Sequence, residues 1–151
     1  MIQTGLSNEG ISYSSLSPFS QDLGSDISGE IVATGPGVSG LRAGDQVYGV
    51  TNPRFTGAYA EYALASAAMV SNKPTSLSHV EAASVPVVAV TAWQALFDHA
   101  QLKAGQTVVI HGAAGNVGSY AVQLARRADV RIIATAAADD ILFCATSAQT
   151  R

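Results

Sequence analysis

The chain has 151 residues, of which 48% are apolar and 13% are charged, and its net charge is −3. This composition excludes an intrinsically disordered chain, and the lack of a basic patch argues against a nucleic-acid partner. One cysteine, Cys144, excludes an internal disulfide. The start has no signal-peptide pattern, and the longest nearly apolar stretch, residues 82–93, is too short to span a bilayer. We therefore expect a soluble, cytoplasmic, globular protein.

The first half of the chain has the pattern of short strands. Residues 1–22 are polar and poorly patterned, and we expect this N-terminal segment to be weakly ordered. Between glycine and proline turns, the apolar pattern predicts strands over residues 28–34, 46–50 and 57–64. Several short strands with glycine turns are typical of a small β-barrel-like unit.

Helical patterns begin at Ser78. Ser78 and Glu81 have the spacing of a capping box, which predicts a short helix that ends before Pro86. The apolar residues within 89–100 recur at helical spacing and predict a second helix.

Residues 107–135 have the pattern of a β–α–β unit. The continuous apolar run at 107–110 predicts a strand that is buried on both faces of a parallel sheet. A helix is predicted over residues 116–127 and a second buried strand over residues 130–135. A glycine-rich loop separates the first strand from the helix, which is the arrangement of a nucleotide-binding β–α–β motif.

This loop is the candidate functional site. Its residues are Gly112, Ala113, Ala114, Gly115, Asn116, Val117 and Gly118. Against the dinucleotide fingerprint G-x-G-x-x-G, Ala113 occupies the first position and glycines occupy the other two. Gly115 would let the backbone approach a pyrophosphate, Gly118 would let the helix pack close to the strand, and the helix N-terminus would attract the phosphates. The alternative is a glycine-rich structural turn.

The loop leaves the choice of cofactor open. An NAD site places an acidic residue at the end of the second strand, whereas an NADP site places Arg or Lys nearby. This chain has Thr135 and Ala136 there, followed by Asp139 and Asp140. The two acids would repel a 2′-phosphate if they pointed at it; otherwise they are solvated loop residues.

Five segments occur in the order found in a known enzyme family. They are residues 24–29, 44–49, 57–62, 91–96 and 110–118. Together they resemble the medium-chain dehydrogenase/reductase superfamily, in its zinc-free quinone oxidoreductase (zeta-crystallin-like) branch. The resemblance implies an α/β fold, with a partial GroES-like β-barrel unit followed by the first βαβ of a Rossmann domain. It assigns residues 23–88 to the GroES-like substrate domain and 89–140 to the NAD(P)-binding domain.

The resemblance also implies a function. Members of this branch transfer hydride from NADPH to quinones, enones or other activated carbonyls, so NADPH is favoured over NADH. It places Thr91 near the nicotinamide, the 112–118 loop on the diphosphate, and Thr135 and Ala136 near the adenosine ribose. Thr91 is alternatively a helix-face threonine that is bonded to its own backbone.

The resemblance implies a site without zinc. Zinc-dependent relatives carry Gly-His-Glu where this chain has Gly24, Ser25 and Asp26, and their four-cysteine zinc lobe has no counterpart. The implied partner is a small carbonyl or quinone substrate, with neither nucleic acid nor membrane. No catalytic residue is assigned.

The chain is shorter than family members, which suggests two other functions. One is a truncated, catalytically incompetent fragment that retains at most weak dinucleotide or partner binding; the other is a crystallin-like structural role. Residues 141–151 have no helical periodicity, and we expect them to be irregular. Read one nucleotide earlier, codons for this tail permit the family sequence Leu-Arg-Asp-Leu-Gly-Ala-Asp, so we hypothesise a frameshift near Ile141.

Overall fold

The computed structural model describes residues 2–4 and 23–147. The chain divides into two compact units, Met1–Val87 and Val88–Arg151. Each unit has its own cluster of buried apolar residues. The division falls inside a helix that begins at Pro86.

The first unit contains a mixed five-stranded sheet. Its strands are Ile2–Thr4 (β1), Asp26–Thr34 (β2), Gln46–Val50 (β3), Ala63–Leu64 (β4) and Val70–Asn72 (β5). Their order is β4-β1-β2-β3-β5, with β1 parallel to β2 and β4, and with β3 antiparallel to β2 and β5. Over the described residues this sheet is open, so the predicted β-barrel-like unit is corrected to a mixed open sheet.

The predicted strands agree with this sheet except at two places. The strand over residues 46–50 is confirmed, and the one over 28–34 is confirmed with a start at Asp26. β1 lies in the segment expected to be weakly ordered, which corrects that expectation for Ile2–Thr4. The rest of the segment lies outside the described residues.

The strand predicted over residues 57–64 is wrong except for Ala63–Leu64. Tyr59 and Tyr62 are 80% and 57% exposed, so the alternation of aromatic and small residues does not mark a half-buried strand. The Tyr59 ring lies over Gly24, where an added Cβ would come within 2.8 Å of its Cδ1 atom. The repeat therefore belongs to a loop that covers the start of β2.

The core of the first unit follows from alternation along its strands. Ile27 and Ile31 on β2 and Val47 on β3 are buried, together with Ala63 and Ala65. Because successive side chains of a strand point to opposite faces, the intervening residues face outward.

Helix α1, His79–Ala83, begins at the predicted capping box. The Glu81 backbone N–H donates to Ser78 Oγ at 3.3 Å, and the Ser78 backbone N–H donates to Glu81 Oε2 at 2.8 Å. Both bonds satisfy donors that the helix itself leaves without an acceptor. The helix ends before Pro86, so this prediction is confirmed.

A side-chain bond ties α1 to β2. Ser28 Oγ lies 2.8 Å from His79 Nδ1 and donates its proton to the Val47 carbonyl oxygen at 3.1 Å. Because a serine hydroxyl has one proton, this arrangement makes His79 Nδ1 the donor to Ser28.

Helix α2, Pro86–Trp93, continues into a π-helical segment, Gln94–His99. The predicted helix over residues 89–100 is therefore confirmed, with an earlier start at Pro86 and a second half that is π-helical. Pro86 suits the first helical position because its missing N–H would have no acceptor there. The N–H of Val87 is accepted by Asp26 Oδ1 at 2.9 Å.

The second unit contains a β–α–β arrangement. Strands Thr107–His111 (β6) and Arg131–Thr135 (β7) are parallel, and helix Asn116–Arg127 (α3) joins them and packs on both. The helix has its predicted bounds, and both strands are confirmed to within one residue.

The core of the second unit consists mainly of small residues. The buried residues of this cluster are Ala92, Leu96, Ile110, Ala113, Ala121, Val122, Ala125, Val130 and Cys144. They come from α2, the π-helical segment, β6, the loop, α3 and the chain after it, so one cluster fixes the loop against the helices.

The two faces of the β6–β7 sheet differ. Val109 and Ile133 are paired in register, and they are 52% and 51% exposed. The apolar run is thus typical of a strand that is covered on both faces, whereas in the described residues α3 covers one face only. Both exposed residues are apolar, which is typical of strands in a sheet that is covered on both faces.

The tail contains a helix that the sequence pattern did not predict. Residues Ile141–Ser147 form α4, so the expectation of an irregular segment is corrected there. Cys144 is buried in the core of the second unit, whereas Ile141, Leu142 and Phe143 are exposed. A seven-residue helix with one buried position is too short to show a helical repeat of apolar residues. No described helix is long and apolar enough to cross a membrane.

Candidate functional site

The glycine loop turns sharply at its first residue. Gly112 follows β6 directly with φ +67°, a conformation that side chains rarely allow. Its carbonyl oxygen accepts the N–H of Gly115 at 2.9 Å, which closes the turn. Ala113, the residue in the first fingerprint position, is instead 1% exposed and belongs to the core. Gly112, which the sequence analysis includes in the loop but which has no position in the fingerprint, is thus the residue at which the chain turns.

Gly118 is held in a space that admits no side chain. A Cβ at this position would collide with the carbonyl oxygen of Gly112 and would lie 2.9 Å from Ala113 Cα. The first turn of α3 thus lies against the loop backbone. Gly115 is less confined, since its Cβ would lie 3.2 Å from the Gly112 oxygen.

The N-terminus of α3 lacks a side-chain cap. Its N-cap is Gly115, and the first helical bond is the Ser119 N–H to the Gly115 carbonyl oxygen at 2.9 Å. The N–H groups of Asn116, Val117 and Gly118 therefore have no acceptor within the helix. There is also no acidic residue in the first turn. This arrangement fits an anionic group such as a diphosphate, because backbone donors and the helix dipole act in the same direction.

The end of β7 lies beside the start of the loop. The Thr135 carbonyl oxygen accepts the N–H of Ala113 at 2.9 Å. Thr135 is paired in register with His111, and His111 Nδ1 lies 3.0 Å from Thr135 Oγ1. Ala136 follows and is exposed. The structure thus brings together the loop residues and the two residues predicted at the adenosine ribose.

Thr91 lies on a different element from these residues. It is on α2 and its side chain is exposed. Its neighbour Ala92 is fully buried in the same cluster as Ala113, so a common core supports both α2 and the loop.

Ser25 and Asp26, the residues that the sequence resemblance compares with the zinc-binding segment of zinc-dependent enzymes, are engaged in hydrogen bonds. Ser25 Oγ donates to Asp26 Oδ2 at 3.0 Å, and Asp26 Oδ1 accepts the N–H of Val87. Asp26 therefore places its negative charge at the N-terminus of α2, where a helix dipole favours it. Among the residues that the structure describes, no group of three or more His, Cys, Asp or Glu side chains could hold a metal ion.

Comparisons with known proteins give a consistent family resemblance. Residues 6–75 match the alcohol dehydrogenase GroES-like domain. The match thus includes residues 6–22, which the sequence resemblance leaves outside the GroES-like domain. The chain is 43% identical over 119 residues to erythronolide synthase EryA2 of Saccharopolyspora erythraea, covering 79% of this chain and 3% of that protein. It is 39% identical over 117 residues to the human quinone oxidoreductase, covering 78% of this chain and 35% of that protein.

Solved structures agree with these sequence relatives. The quinone oxidoreductase from Coxiella burnetii matches with a TM-score of 0.78 and 38% identity, covering 83% of this chain and 39% of that one. The mycobacterial protein Rv1454c, solved in complex with NADPH, matches with a TM-score of 0.74 and 31% identity, covering 82% of this chain and 38% of that one. The chain therefore spans well under half the length of these relatives.

Proposed function

We propose that the chain belongs to an NAD(P)H-dependent oxidoreductase of the quinone reductase type. The proposal starts from its resemblance to the medium-chain dehydrogenase/reductase superfamily and from the match of residues 6–75 to the alcohol dehydrogenase GroES-like domain. The proposed reaction is hydride transfer to a quinone, an enone or another activated carbonyl. The observation that carries this proposal is the loop between β6 and α3, with its sharp turn at Gly112 and its uncapped helix N-terminus.

In this proposal each part of the site has one task. The N–H groups of residues 116–118 bind the diphosphate, and Gly118 keeps them close to the loop. Thr135 and Ala136 lie along the adenosine ribose, and Thr91 lies near the nicotinamide. When bound, the cofactor supplies the hydride. The chain's own residues bind and orient it.

We propose NADPH rather than NADH as this cofactor. The end of β7 carries Thr135 and Ala136 in place of the acidic residue that binds the ribose of NAD. The relative Rv1454c, which was solved with NADPH, supports the same choice. We further propose a zinc-free mechanism, because Ser25 stands at the position of a ligand histidine.

The domain organisation is part of the same proposal. The substrate domain would end near residue 88 and would include the matched residues 6–75, and residues 89–140 would form the start of a Rossmann domain. The division of the chain into two compact units between Val87 and Val88 supports this boundary. The parallel pairing of β6 and β7 around α3 supports the Rossmann assignment.

A second candidate function is dinucleotide binding without turnover. It is favoured by the exposed sheet face, where Val109 and Ile133 are about half exposed. Hydride transfer requires a site from which water is excluded. Because one face of the β6–β7 sheet is uncovered, the described residues favour dinucleotide binding over hydride transfer in a closed cleft.

One substitution tests the site and separates the two candidates. We expect Gly115→Asp to abolish NADPH binding, because its carboxylate would repel the diphosphate at the position where the backbone must approach it. Binding is measured by the change in NADPH fluorescence, and turnover by the loss of nicotinamide absorbance with a small quinone. Ala104→Asp is the matched control, since it adds the same charge at an exposed turn of the same unit.

The outcomes of this test are distinct. NADPH oxidation by the wild-type chain, lost in Gly115→Asp, supports the oxidoreductase. Binding without oxidation supports the second candidate. Equal NADPH binding by the wild type and Gly115→Asp, with similar thermal unfolding, would show that the loop is a structural turn.

A further inference from the structure

His111 is an exposed polar residue at the edge of the site, and the function proposed above gives it no task. It is the last residue of β6, directly before Gly112, and it lies opposite Thr135 in the register of the sheet. Its ring is bonded to that threonine, with 3.0 Å between Nδ1 and Oγ1. The bond holds the imidazole beside the end of β7.

The direction of this bond decides whether the other ring nitrogen is a donor or an acceptor. When Thr135 Oγ1 donates to His111 Nδ1, the neutral ring carries its proton on Nε2. When the ring is protonated, Nε2 is a donor as well. In both forms of the ring, Nε2 carries a proton and can donate a hydrogen bond beside the end of β7. A bound anion would stabilise these two forms, because it accepts that hydrogen bond.

The end of β7 is where a dinucleotide fold places the 2′ position of the adenosine ribose. A site for a 2′-phosphate needs a cationic or donor group there, and residues 132–140 contain neither Arg nor Lys. Asp139 and Asp140 lie in an exposed 3-10 turn, Ala138–Asp140. His111 therefore supplies a side-chain nitrogen at this place, held against Thr135 Oγ1.

We propose that His111 recognises the 2′-phosphate of NADPH and that Thr135 is the positioning residue that orients its ring. This inference rests on the proposed function, since it assumes that the dinucleotide lies on the 112–118 loop. It adds a residue that sets the preference for a phosphorylated over an unphosphorylated ribose. A hydrogen bond to a doubly charged phosphate is stronger than one to a neutral hydroxyl, which is the source of the preference.

The experiment compares two pairs of probes by titration calorimetry with the full chain. The pairs are NADPH with NADH, and 2′,5′-ADP with 5′-ADP. We expect His111→Ala to lower the affinity for NADPH and 2′,5′-ADP about tenfold, because one charge-assisted hydrogen bond is lost. The affinity for NADH and 5′-ADP should change by less than about twofold. We expect Thr135→Val to weaken the phosphorylated probes less, by about threefold, because the ring remains but is no longer held.

His99→Ala is the matched control, since it removes another exposed histidine of the same unit and should leave all four affinities unchanged. His111→Gln keeps a side-chain donor and should recover part of the preference. An equal loss for both members of each pair, or no loss in His111→Ala, would overturn the inference and leave the proposed function standing. If the wild type binds none of the four probes, the proposed function and this inference fall together.

Discussion

Helices α1 and α3 begin in opposite ways. At α1, the side chains of Ser78 and Glu81 each accept a backbone N–H that the helix leaves free. At α3, the N-cap is Gly115 and the first turn contains no acidic side chain. The first helix start is complete within the chain, whereas the second leaves donors for another molecule.

This difference teaches how a helix start that binds a ligand can be recognised. A capping box stabilises a helix without any partner. A glycine N-cap gives less stability, and here the backbone around it is held by close contacts of Gly112 and Gly118. The first turn of α3 is therefore stabilised by its packing against the loop, whereas the first turn of α1 is stabilised by its capping box.

The largest effect is expected at Gly118. Gly118→Ala adds a methyl group against the Gly112 carbonyl oxygen, and overpacking of this kind costs about 3 kcal/mol in the free energy of unfolding. Urea denaturation measures the change. Gln123→Ala, at an exposed position of the same helix, is the control and should change stability little. Equal stability of Gly118→Ala and the wild type would contradict the close packing of this turn.

A smaller effect is expected at the other helix. Ser78→Ala removes the acceptor for the Glu81 N–H and should lower the free energy of unfolding by about 1 kcal/mol. Ser76→Ala, at an exposed position just before the helix, should have no comparable effect. The same urea denaturation applies, and a Ser78→Ala chain as stable as Ser76→Ala would show that the capping box is dispensable.

The smallest effect is a pH dependence at Glu81. The backbone N–H of Ser78, followed by its side-chain hydroxyl, lowers the pKa of the Glu81 carboxyl below 4.5. Because the folded-state pKa is the lower one, the stabilisation is complete above pH 4.5 and is lost as the pH falls through the lowered value. Thermal unfolding across this range should show a smaller acid dependence in Glu81→Gln than in the wild type.

A matched variant gives that pH measurement its control. Glu30→Gln removes an exposed carboxylate from β2 and makes the same change in net charge. If both variants alter the acid dependence equally, the effect belongs to net charge and the capping box has no part in it.

Local patterns were enough to predict the elements whose signals are complete within a few residues. The capping box at Ser78 marks the start of α1, and the apolar face over residues 116–127 marks α3. The alternation of large and small residues over 57–64 gave a wrong strand prediction, because it describes side-chain size alone. Burial depends on what covers the strand, and Tyr59 covers Gly24 from a loop.

The candidate site could be predicted as a loop, but not in its details. The fingerprint located residues 112–118, yet the turn at Gly112 depends on a backbone angle that the fingerprint does not encode. The bond between His111 and Thr135 depends on the register of two strands that are 24 residues apart in the chain. Sequence spacing cannot supply that register.

The alanines in the core of the second unit limit how this part of the chain can vary. Ala92 on α2 and Ala121 and Ala125 on α3 are nearly or fully buried, so any larger side chain would have to displace its neighbours. Glycine is the one smaller residue, and inside a helix it costs about 1 kcal/mol. Substitutions at these positions are therefore unfavourable in both directions, and a library of variants should return alanine there more often than at any exposed position of α3.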